Sequence, residues 1–351
     1  MPARQVRIAV AGAGMIGKRH IELVHERTGG CVLAGIVDPA PIAGELASRL
    51  GVPLCKSLPE LFARARPDGV IVATPNSLHV EHGLACVAAG VPALIEKPIA
   101  DSIGAAEHLC DAAERAKVPL LTGHHRQHSP IMEKAVELVR SGRLGRLVAV
   151  VGTAMYCKPD TYFEEGVWRR HPGGGPVLIN LIHEIGNLRA LCGEITAVQA
   201  FTSQAVRNFP VEDTAAIIFR FANGALGTFM LSDTTASGRS WEQTSREVKA
   251  FPAYPDEDCY VIAGTMGSLA VPTMRLKRFA DGDVRSWWTP LQSDKVAMQR
   301  ADPLQRQLEN FCAVIRSEAA PVVTARDGLK NLRVIEAIAK AAGSGKTVQL
   351  I

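Results

Sequence analysis

The segment IAVAGAGMIGKRH, which runs from Ile8 to His20, limits what this chain can fold into more than any other stretch. Its first four residues are apolar, as is typical of a buried parallel strand. Gly12, Gly14 and Gly17 follow with the spacing G-x-G-x-x-G, and a helix-like sequence comes next. Such glycines allow a tight turn, the approach of a pyrophosphate and close packing of helix on strand. This order predicts a dinucleotide-binding βαβ unit, the alternative being a βαβ turn that is only structural.

A carboxylate follows the second apolar strand at a distance that suits a dinucleotide site. The strand Val32 to Val37 ends at Asp38, which lies 21 residues after Gly17. A carboxylate there binds the ribose 2′-hydroxyl of NAD and disfavours the 2′-phosphate of NADP. Because no arginine directly follows Asp38, the sequence predicts NAD, with NADP the weaker alternative. Met15 and Ile16, inside the glycine motif, are expected to lie beside the cofactor.

Length and composition point to an ordinary globular chain of two domains. The 351 residues exceed one compact core, and 47% hydrophobic with 21% charged residues is usual for this class. A net charge of +4 without a dense basic run predicts no nucleic-acid partner. No stretch approaches a membrane span, and the N terminus lacks the apolar region of a signal peptide. We therefore expect a cytoplasmic protein without a membrane partner.

The cysteines and clustered histidines predict neither disulfides nor a metal site. Eight scattered cysteines without a C-x-x-C pair are typical of reduced, mostly buried thiols. His124, His125 and His128 raise the possibility of a metal ion. No cysteine or carboxylate lies near them at ligand spacing, so we expect no metal.

Strands and helices alternate in the first third of the chain. This alternation predicts a doubly wound parallel sheet, a Rossmann fold, over residues 1–124. Candidate contact residues follow the strand ends, where open parallel sheets bind ligands. These residues are Gly12, Asp38, Thr74, Glu96 and Gly123.

Strands follow one another from Arg146 onward with few helices between them. This pattern predicts an α+β domain over residues 125–351 with a large, mostly antiparallel open sheet. Two helices, Val177 to Leu191 and Pro303 to Ser317, are expected to interrupt or cover that sheet. A third, Ala325 to Ala341, closes the chain.

Two residues are candidates for acid–base chemistry. Lys97 follows a buried strand at the edge where a nicotinamide would lie, and a lysine there can stabilise an alkoxide or relay a proton. His183 lies on a predicted helix after the loop Gly173 to Gly175, and Asn180 and Asn187 share its helical face. The alternatives are a surface lysine in a loop and a structural histidine.

A looser group of arginines and aromatic residues suits the recognition of sugars or carboxylates. Each member has packing or a solvated surface position as its alternative. The group comprises Arg126, Tyr156, Lys158, Tyr162, Trp168, Arg169, Arg239 and Trp241.

In combination, four motifs make the sequence resemble the Gfo/Idh/MocA oxidoreductases over nearly its whole length. The motifs are AGAGMIG, ATPNSLH at Ala73 to His79, EKP at Glu96 to Pro98, and GGGPVLINLIHEI at Gly173 to Ile185. The resemblance implies that the cofactor is lined by Thr74, Pro75, Asn76 and His79. It also implies that Glu96 and Lys97 approach the nicotinamide ribose, that Lys97 and His183 act on substrate, and that the open sheet forms homodimers or homotetramers.

The chain departs from this family at two positions near His183. Many members carry aspartate four residues before the histidine and often three after it, whereas Ile179 and Gly186 stand there. These departures favour Lys97 over a base centred on His183, and they indicate either a substrate geometry peculiar to a subgroup or a loss of activity.

The sequence thus predicts an NAD-dependent dehydrogenase acting on a secondary hydroxyl, or the matching ketone, of a sugar, cyclic polyol or cyclic diol. The expected cofactor contacts are those named above, and the expected substrate contacts are Arg126, Tyr156, Trp168, Arg169, Asn180 and His183. The alternatives are a glycosidase or elimination enzyme that uses NAD without net redox change, and a non-catalytic regulator that senses NAD and a ligand.

Overall fold

The computed structural model describes residues 5–26 and 30–350, which divide into two compact units. The first unit holds the described residues up to His128 together with Pro303–Leu332. The second holds Ser129–Asp302 and residues 333–350. The expected boundary lay between residues 124 and 125, whereas the first segment of the first unit ends four residues later, at His128. The segment Pro303–Leu332 was also expected in the second domain but belongs to the first unit.

The first unit is built on a parallel sheet, here called sheet A. Its strands are β1 (Val6–Ala11), β2 (Cys31–Val37), β3 (Leu54–Cys55), β4 (Gly69–Val72), β5 (Ala93–Glu96) and β6 (Leu120–Gly123). Among the described residues they lie in the order β3-β2-β1-β4-β5-β6, and all neighbours pair in parallel. This is the doubly wound order of a Rossmann fold, so the predicted fold of this part is confirmed.

Helices connect these strands, as the alternating pattern predicts. They are α1 (Met15–His25), α2 (Ile42–Leu50), α3 (Leu58–Arg64), α4 (His79–Ala88) and α5 (Ile103–Ala116), with short 3-10 helices at Asn76–Leu78 and His125–His128. Helix α2 ends where Gly51 adopts a left-handed conformation (φ 66°), and α3 begins where the Ser57 side chain accepts from the Glu60 amide. Local capping therefore fixes several helix ends.

The second unit and the closing helices follow in chain order. The elements are α6 (Pro130–Arg140), β7 (Leu147–Met155), α7 (Asp160–Glu164), α8 (Pro176–Ile179), α9 (Leu181–Cys192), β8 (Ile195–Ser203), β9 (Thr214–Phe221), β10 (Leu226–Ser232), α10 (Trp241–Ser245), β11 (Tyr260–Gly264), β12 (Gly267–Val271), β13 (Arg275–Arg278), β14 (Gln292–Lys295), α11 (Pro303–Ile315), α12 (Ala325–Ser344) and β15 (Val348–Gln349). Another 3-10 helix lies at Val167–Arg170.

The strands of the second unit form sheet B, which is mostly antiparallel as expected. Within the described chain, nine strands lie in the order β14-β13-β12-β11-β7-β10-β9-β8-β15, with β7 and β10 the one parallel pair. One face packs against α6, α9 and α12 in a continuous apolar core. The other face is open and leaves Val151, Ile218 and Leu226 about half exposed (51–55%).

Helix α11 is a correction to the sequence-based expectation. It was expected to interrupt or cover the second sheet, but it belongs to the first unit. Its apolar residues Leu304, Leu308 and Phe311 are buried in one core with Ile8 and Ile21 of sheet A and α1. An amphipathic pattern marks the face a helix buries and not the sheet that receives it, so periodicity could not assign this helix.

The described residues contain no group of three or more His, Cys, Asp or Glu side chains arranged to hold a metal ion. All eight cysteines are free thiols, seven of them buried and Cys157 exposed. Among the helices of residues 5–26 and 30–350, none combines the length and apolar character needed to cross a membrane.

Candidate active site

The glycine motif forms the turn between β1 and α1. Gly12 has φ +92°, and a side chain there would overlap the carbonyl of Ala73 after β4. A side chain at Gly17 would overlap the Gly12 carbonyl. By contrast, nothing lies within 4 Å of the position where a Gly14 side chain would begin. The first and third glycines are therefore required by packing, whereas the second leaves an open approach to the backbone.

This opening fits the pyrophosphate of a dinucleotide. Gly14 is the N-cap of α1, which has no side-chain cap and no acidic residue in its first turn. Helix amides and the helix dipole at such an end favour an anion. Met15 and Ile16, the first residues of α1, are 75% and 37% exposed beside it.

The Asp38 carboxylate is held against the glycine turn by two backbone amides. Its Oδ2 accepts a hydrogen bond from the Ala13 amide at 2.7 Å, and its Oδ1 accepts one from the Ala40 amide at 2.8 Å. Each carboxylate oxygen accepts more than one bond, so capacity remains for ribose hydroxyls. The residue is thus fixed at the end of β2, as the spacing from Gly17 predicts.

His79 joins the loops that follow β4 and β5. Its Nδ1 lies 2.7 Å from the Pro98 carbonyl oxygen and its Nε2 lies 2.8 Å from that of Thr74. The ring is 1% exposed, so His79 supports these loops from beneath. Pro75 is exposed, and Thr74 and Asn76 are half-buried above it. Of the four residues expected to line the cofactor, His79 is therefore set back from the surface.

Glu96 is the last residue of β5 and the acid of a buried acid–imidazole pair, and Lys97 follows it directly. The Glu96 carboxylate is 2.8 Å from His20 Nε2 on α1, and the two side chains are 7% and 0% exposed. Burial is the largest single influence and would raise the pKa of the Glu96 carboxyl, but the hydrogen bond from His20 and the positive charges of His20, His125 and Lys97 together outweigh it. The net pKa is lowered. An ionised carboxylate thus lies below the Lys97 backbone amide, which donates to it at 3.3 Å.

His124, Arg126 and His128 are buried in the first unit, whereas His125 is half-buried. The Nε2 of His124 lies 3.0 Å from the Asn331 amide nitrogen. Burial lowers the pKa of His128 to about 3, with smaller contributions from the charges of His125 and Arg306. Arg126 is 4% exposed and lies in the same unit, whereas the other expected substrate contacts lie in the second unit.

The helix carrying His183 is interrupted, which corrects the expected single helix from Val177 to Leu191. Asn180 has φ −112° and separates α8 from α9. His183 lies three residues further on and is 6% exposed. Asn187, expected on the same face, is fully buried and donates to the Tyr260 hydroxyl at 3.1 Å. Asn180 and His183 therefore remain site candidates, while Asn187 belongs to the core.

A charged cluster that sequence reasoning largely missed surrounds Asn180. Lys158 Nζ donates to Asn180 Oδ1 at 2.8 Å and lies 3.2 Å from Asp233 Oδ2. Arg207 Nε lies 3.3 Å from the other oxygen of Asp233. Burial lowers the pKa of the Lys158 ammonium, against the opposing charge of Asp233. No short motif connects positions 158, 207 and 233, so the sequence carried no signal for this grouping.

The aromatic and arginine candidates separate into two groups. The Tyr162 ring lies 4.9 Å from Lys158 Nζ and 3.9 Å from the Arg169 guanidinium, and Trp168 is 55% exposed beside Arg169. Tyr156 also lies near Lys158, at 5.9 Å. These residues surround the Asn180 cluster.

The later members of the looser group lie elsewhere in the second unit. Trp241 is 2% exposed in the core and donates to Glu247 at 3.1 Å. Arg239 donates to the Asp258 carbonyl at 3.3 Å and pairs with Glu257. For these two residues the structure supports the packing and surface alternatives.

Comparison with known families agrees with this architecture. Residues 6–124 match a Gfo/Idh/MocA domain described as "Oxidoreductase family, NAD-binding Rossmann fold". Residues 136–350 match the "C-terminal alpha/beta domain" of the same family. The chain belongs to the Gfo/Idh/MocA oxidoreductase family. The resemblance inferred from the four motifs is thereby confirmed.

Three Gfo/Idh/MocA-like proteins illustrate the similarity. A 1,5-anhydro-D-fructose reductase of Ensifer adhaerens is 26% identical over 98% of each chain. The rhizopine catabolism protein MocA of Rhizobium meliloti is 28% identical over 94% of this chain and 93% of its own. The crystal structure of an aldose-aldose oxidoreductase from Caulobacter crescentus, complexed with glycerol, has a TM-score of 0.78 and 25% identity, covering 99% of this chain and 100% of that one.

Proposed function

We propose that this protein is an NAD-dependent dehydrogenase that oxidises a secondary hydroxyl, or reduces the matching ketone, of a sugar, cyclic polyol or cyclic diol. The observation that carries the proposal is Lys97 at the carboxyl end of β5, above the buried Glu96–His20 pair. The relatives described above include a reductase of an anhydro sugar and an oxidoreductase of aldoses, which favours a carbohydrate-like substrate.

The proposed roles follow from the chemistry of each side chain. When bound, the nicotinamide ring supplies the hydride acceptor or donor. The Lys97 amine takes the hydroxyl proton in oxidation and its ammonium returns it in reduction. The Glu96 carboxylate holds the backbone of Lys97 in place and adds negative charge beside it. We assign the supporting role in proton transfer to His183, since the chain has Ile179 and Gly186 where relatives often carry carboxylates.

We assign the remaining site residues to two functions. The proposed cofactor contacts are Gly12, Gly14, Met15, Ile16, Gly17, Asp38, Thr74, Pro75, Asn76, His79, Glu96 and Lys97. The proposed substrate contacts are Arg126, Tyr156, Trp168, Arg169, Asn180 and His183. In this assignment the first unit binds the cofactor, and the second unit binds substrate.

NAD is the proposed cofactor because the Asp38 carboxylate occupies the glycine turn. A 2′-phosphate there would meet a negative charge without a neighbouring arginine. We expect kcat/KM to favour NAD over NADP at least tenfold. A preference for NADP would contradict the role given to Asp38.

The experiment that tests the proposed function is an NAD-coupled absorbance screen over polyols, aldoses, lactones and cyclic diols. We expect NADH formation with at least one polyol or sugar. Product release without net NADH, from an enzyme that retains its cofactor, would favour the elimination alternative. Ligand binding without turnover would favour the regulator.

We also propose that the open face of sheet B joins copies of this chain into a homodimer or homotetramer. Val151, Ile218, Leu226 and Met230 form an exposed apolar stripe on three adjacent strands of that face. Exposed apolar patches of this kind mark interaction surfaces. Analytical ultracentrifugation of the wild type and of Ile218→Lys tests this: we expect an oligomer that the substitution weakens, and a monomeric wild type would reject it.

A further inference from the structure

The cluster around Lys158 lies where the parallel strands β7 and β10 of sheet B both end. Beyond those ends the two segments stay paired, since the Tyr156 amide donates to the Ser232 carbonyl at 3.1 Å and the Lys158 amide to that of Asp233 at 2.9 Å. Side chains that follow neighbouring parallel strands emerge at one edge, which is a common place for ligands. The pairing of these two segments therefore places Lys158 and Asp233 next to each other.

The Lys158 ammonium is nearly buried and still has a donor to offer. Its side chain is 10% exposed, and Nζ contacts Asn180 Oδ1 and Asp233 Oδ2. An ammonium group carries three N–H bonds. Within residues 5–26 and 30–350, these two oxygens are the hydrogen-bond acceptors of Nζ, so one N–H remains for a ligand.

The bond from Lys158 also orients the Asn180 amide. Because Oδ1 accepts from Nζ, the NH₂ group of Asn180 is turned to the opposite side of the amide. Asn180 is half-buried at the break between α8 and α9, three residues before His183. Among the described residues, no acceptor is bonded to this NH₂ group. Lys158 and Asn180 thus offer hydrogen-bond donors from two different segments of the chain.

Holding the two strand ends together does not require the Lys158 side chain. The Nη2 atom of Arg207 donates to the carbonyl oxygens of Lys158 and Asp233 at 2.8 and 2.9 Å, and so already bridges the segments. Burying a second cation beside one shared carboxylate costs free energy. Arg207 therefore already holds the two strand ends together. Binding of a ligand explains why a second buried cation, Lys158, stands beside it.

We propose that Lys158 and Asn180 form a substrate contact that donates to an unprotonated oxygen, namely a carboxylate or carbonyl oxygen of the substrate. The inference rests on the proposed dehydrogenase function and narrows its substrate class to oxidised sugars such as sugar acids and lactones. The reason is that ammonium and amide N–H groups only donate, so they satisfy an oxygen that only accepts better than a hydroxyl that must also donate.

Calorimetric titration of the NADH-loaded protein tests this contact with four probes. D-Glucuronate and D-glucono-1,5-lactone carry the carboxylate and the carbonyl, whereas myo-inositol and D-sorbitol carry only hydroxyls. We expect Lys158→Met to weaken the binding of D-glucuronate, of D-glucono-1,5-lactone or of both by about tenfold to a hundredfold, because a charged hydrogen bond is lost. Binding of the hydroxyl-only probes should change less than about threefold.

Matched variants keep the result interpretable. Lys134→Met removes a lysine that pairs with Glu137 and is a third exposed in the same unit, and it should change nothing. Lys158→Arg should restore part of the lost affinity. If Lys158→Met fails to fold, Asn180→Ala removes the partner donor without touching a charge and should show the same selective loss.

The inference would be overturned if Lys158→Met weakened the binding of all four probes equally, or if it weakened the binding of none. So would a wild type that binds none of the four, or that prefers the hydroxyl-only probes. These outcomes are separate from failure of the proposed function, which would appear as absence of NAD reduction with every compound in the absorbance screen.

Discussion

The carboxyl edge of sheet A and the carboxyl edge of the β7–β10 pair present two different kinds of surface. At sheet A, the glycine turn, the bare start of α1 and the amides that hold Asp38 are backbone features. At the β7–β10 edge, Lys158, Asn180 and Asp233 are positioned by one another's side chains. Backbone features suit a constant ligand such as a dinucleotide, whereas side chains are replaced singly and suit a substrate that differs among relatives.

The two edges also differ in how buried charge is balanced. Glu96 is matched by one imidazole, and its pKa is lowered despite burial. Asp233 is shared by two cations, and burial lowers the pKa of Lys158. Glu96 keeps its charge without a ligand, whereas the Asp233 carboxylate is shared and leaves Lys158 with donor capacity.

The largest expected effect comes from Lys97→Ala. We expect kcat to fall about a hundredfold to ten-thousandfold, as for the loss of a general acid–base group, while NAD affinity changes less than about threefold. Lys158→Met should instead raise KM more than it lowers kcat, because it removes a binding contact. Steady-state assays on a substrate from the screen measure both variants. Near-normal turnover of Lys97→Ala would contradict the assignment of acid–base chemistry to Lys97 and of binding to Lys158.

The next effect is on stability at the sheet A edge. His20→Leu removes the partner of the buried Glu96 carboxylate, and we expect a loss of about 3 kcal/mol in the free energy of unfolding. His25→Leu, on the exposed side of the same helix, serves as the control and should cost less than about 0.5 kcal/mol. Urea titration followed by circular dichroism measures both. Equal losses would mean that the Glu96–His20 pair contributes little.

The glycine turn offers a comparison within one motif. Gly12→Ala should cost about 1–3 kcal/mol of stability without ligand, because φ is +92° and the new side chain meets the Ala73 carbonyl. Gly14→Ala should change the stability without ligand by less than about 0.5 kcal/mol, since the position is open. The same substitution should weaken NAD binding at least tenfold, because the new side chain would lie where the pyrophosphate approaches. Thermal unfolding without cofactor and calorimetric titration with NAD separate the two effects. A Gly14 variant with normal NAD affinity would contradict the proposed pyrophosphate position.

The last expected effect is a pH dependence from His128. Its pKa is about 3 when folded and near 6.5 when unfolded, so the unfolded chain binds the extra proton and stability falls as pH drops below about 6.5. Between pH 7 and pH 5 this amounts to about 2 kcal/mol. His128→Gln should remove that part of the slope in urea titrations at several pH values. An unchanged slope would show that the pKa of His128 is the same in the folded and the unfolded protein.

Much of the cofactor end was predictable because its signals are local. The spacing from Gly17 to Asp38, the capping glycine of α2 and the strand that ends at Val37 each follow from neighbouring residues. Periodicity and capping act within one or two turns, so a short window of sequence carries them. The fold class and the family were predicted correctly on these grounds.

The sequence by itself determined the alternating elements, the glycine turn and the residues at the strand ends of sheet A. Only the tertiary structure decided that α11 returns to the first unit, that Asn180 divides its helix, and that Lys158 meets Asp233. The physical reason is that hydrogen bonds within a turn are chosen by adjacent residues. Contacts between residues 75 positions apart are chosen by how apolar faces pack, which many sequences satisfy in more than one way.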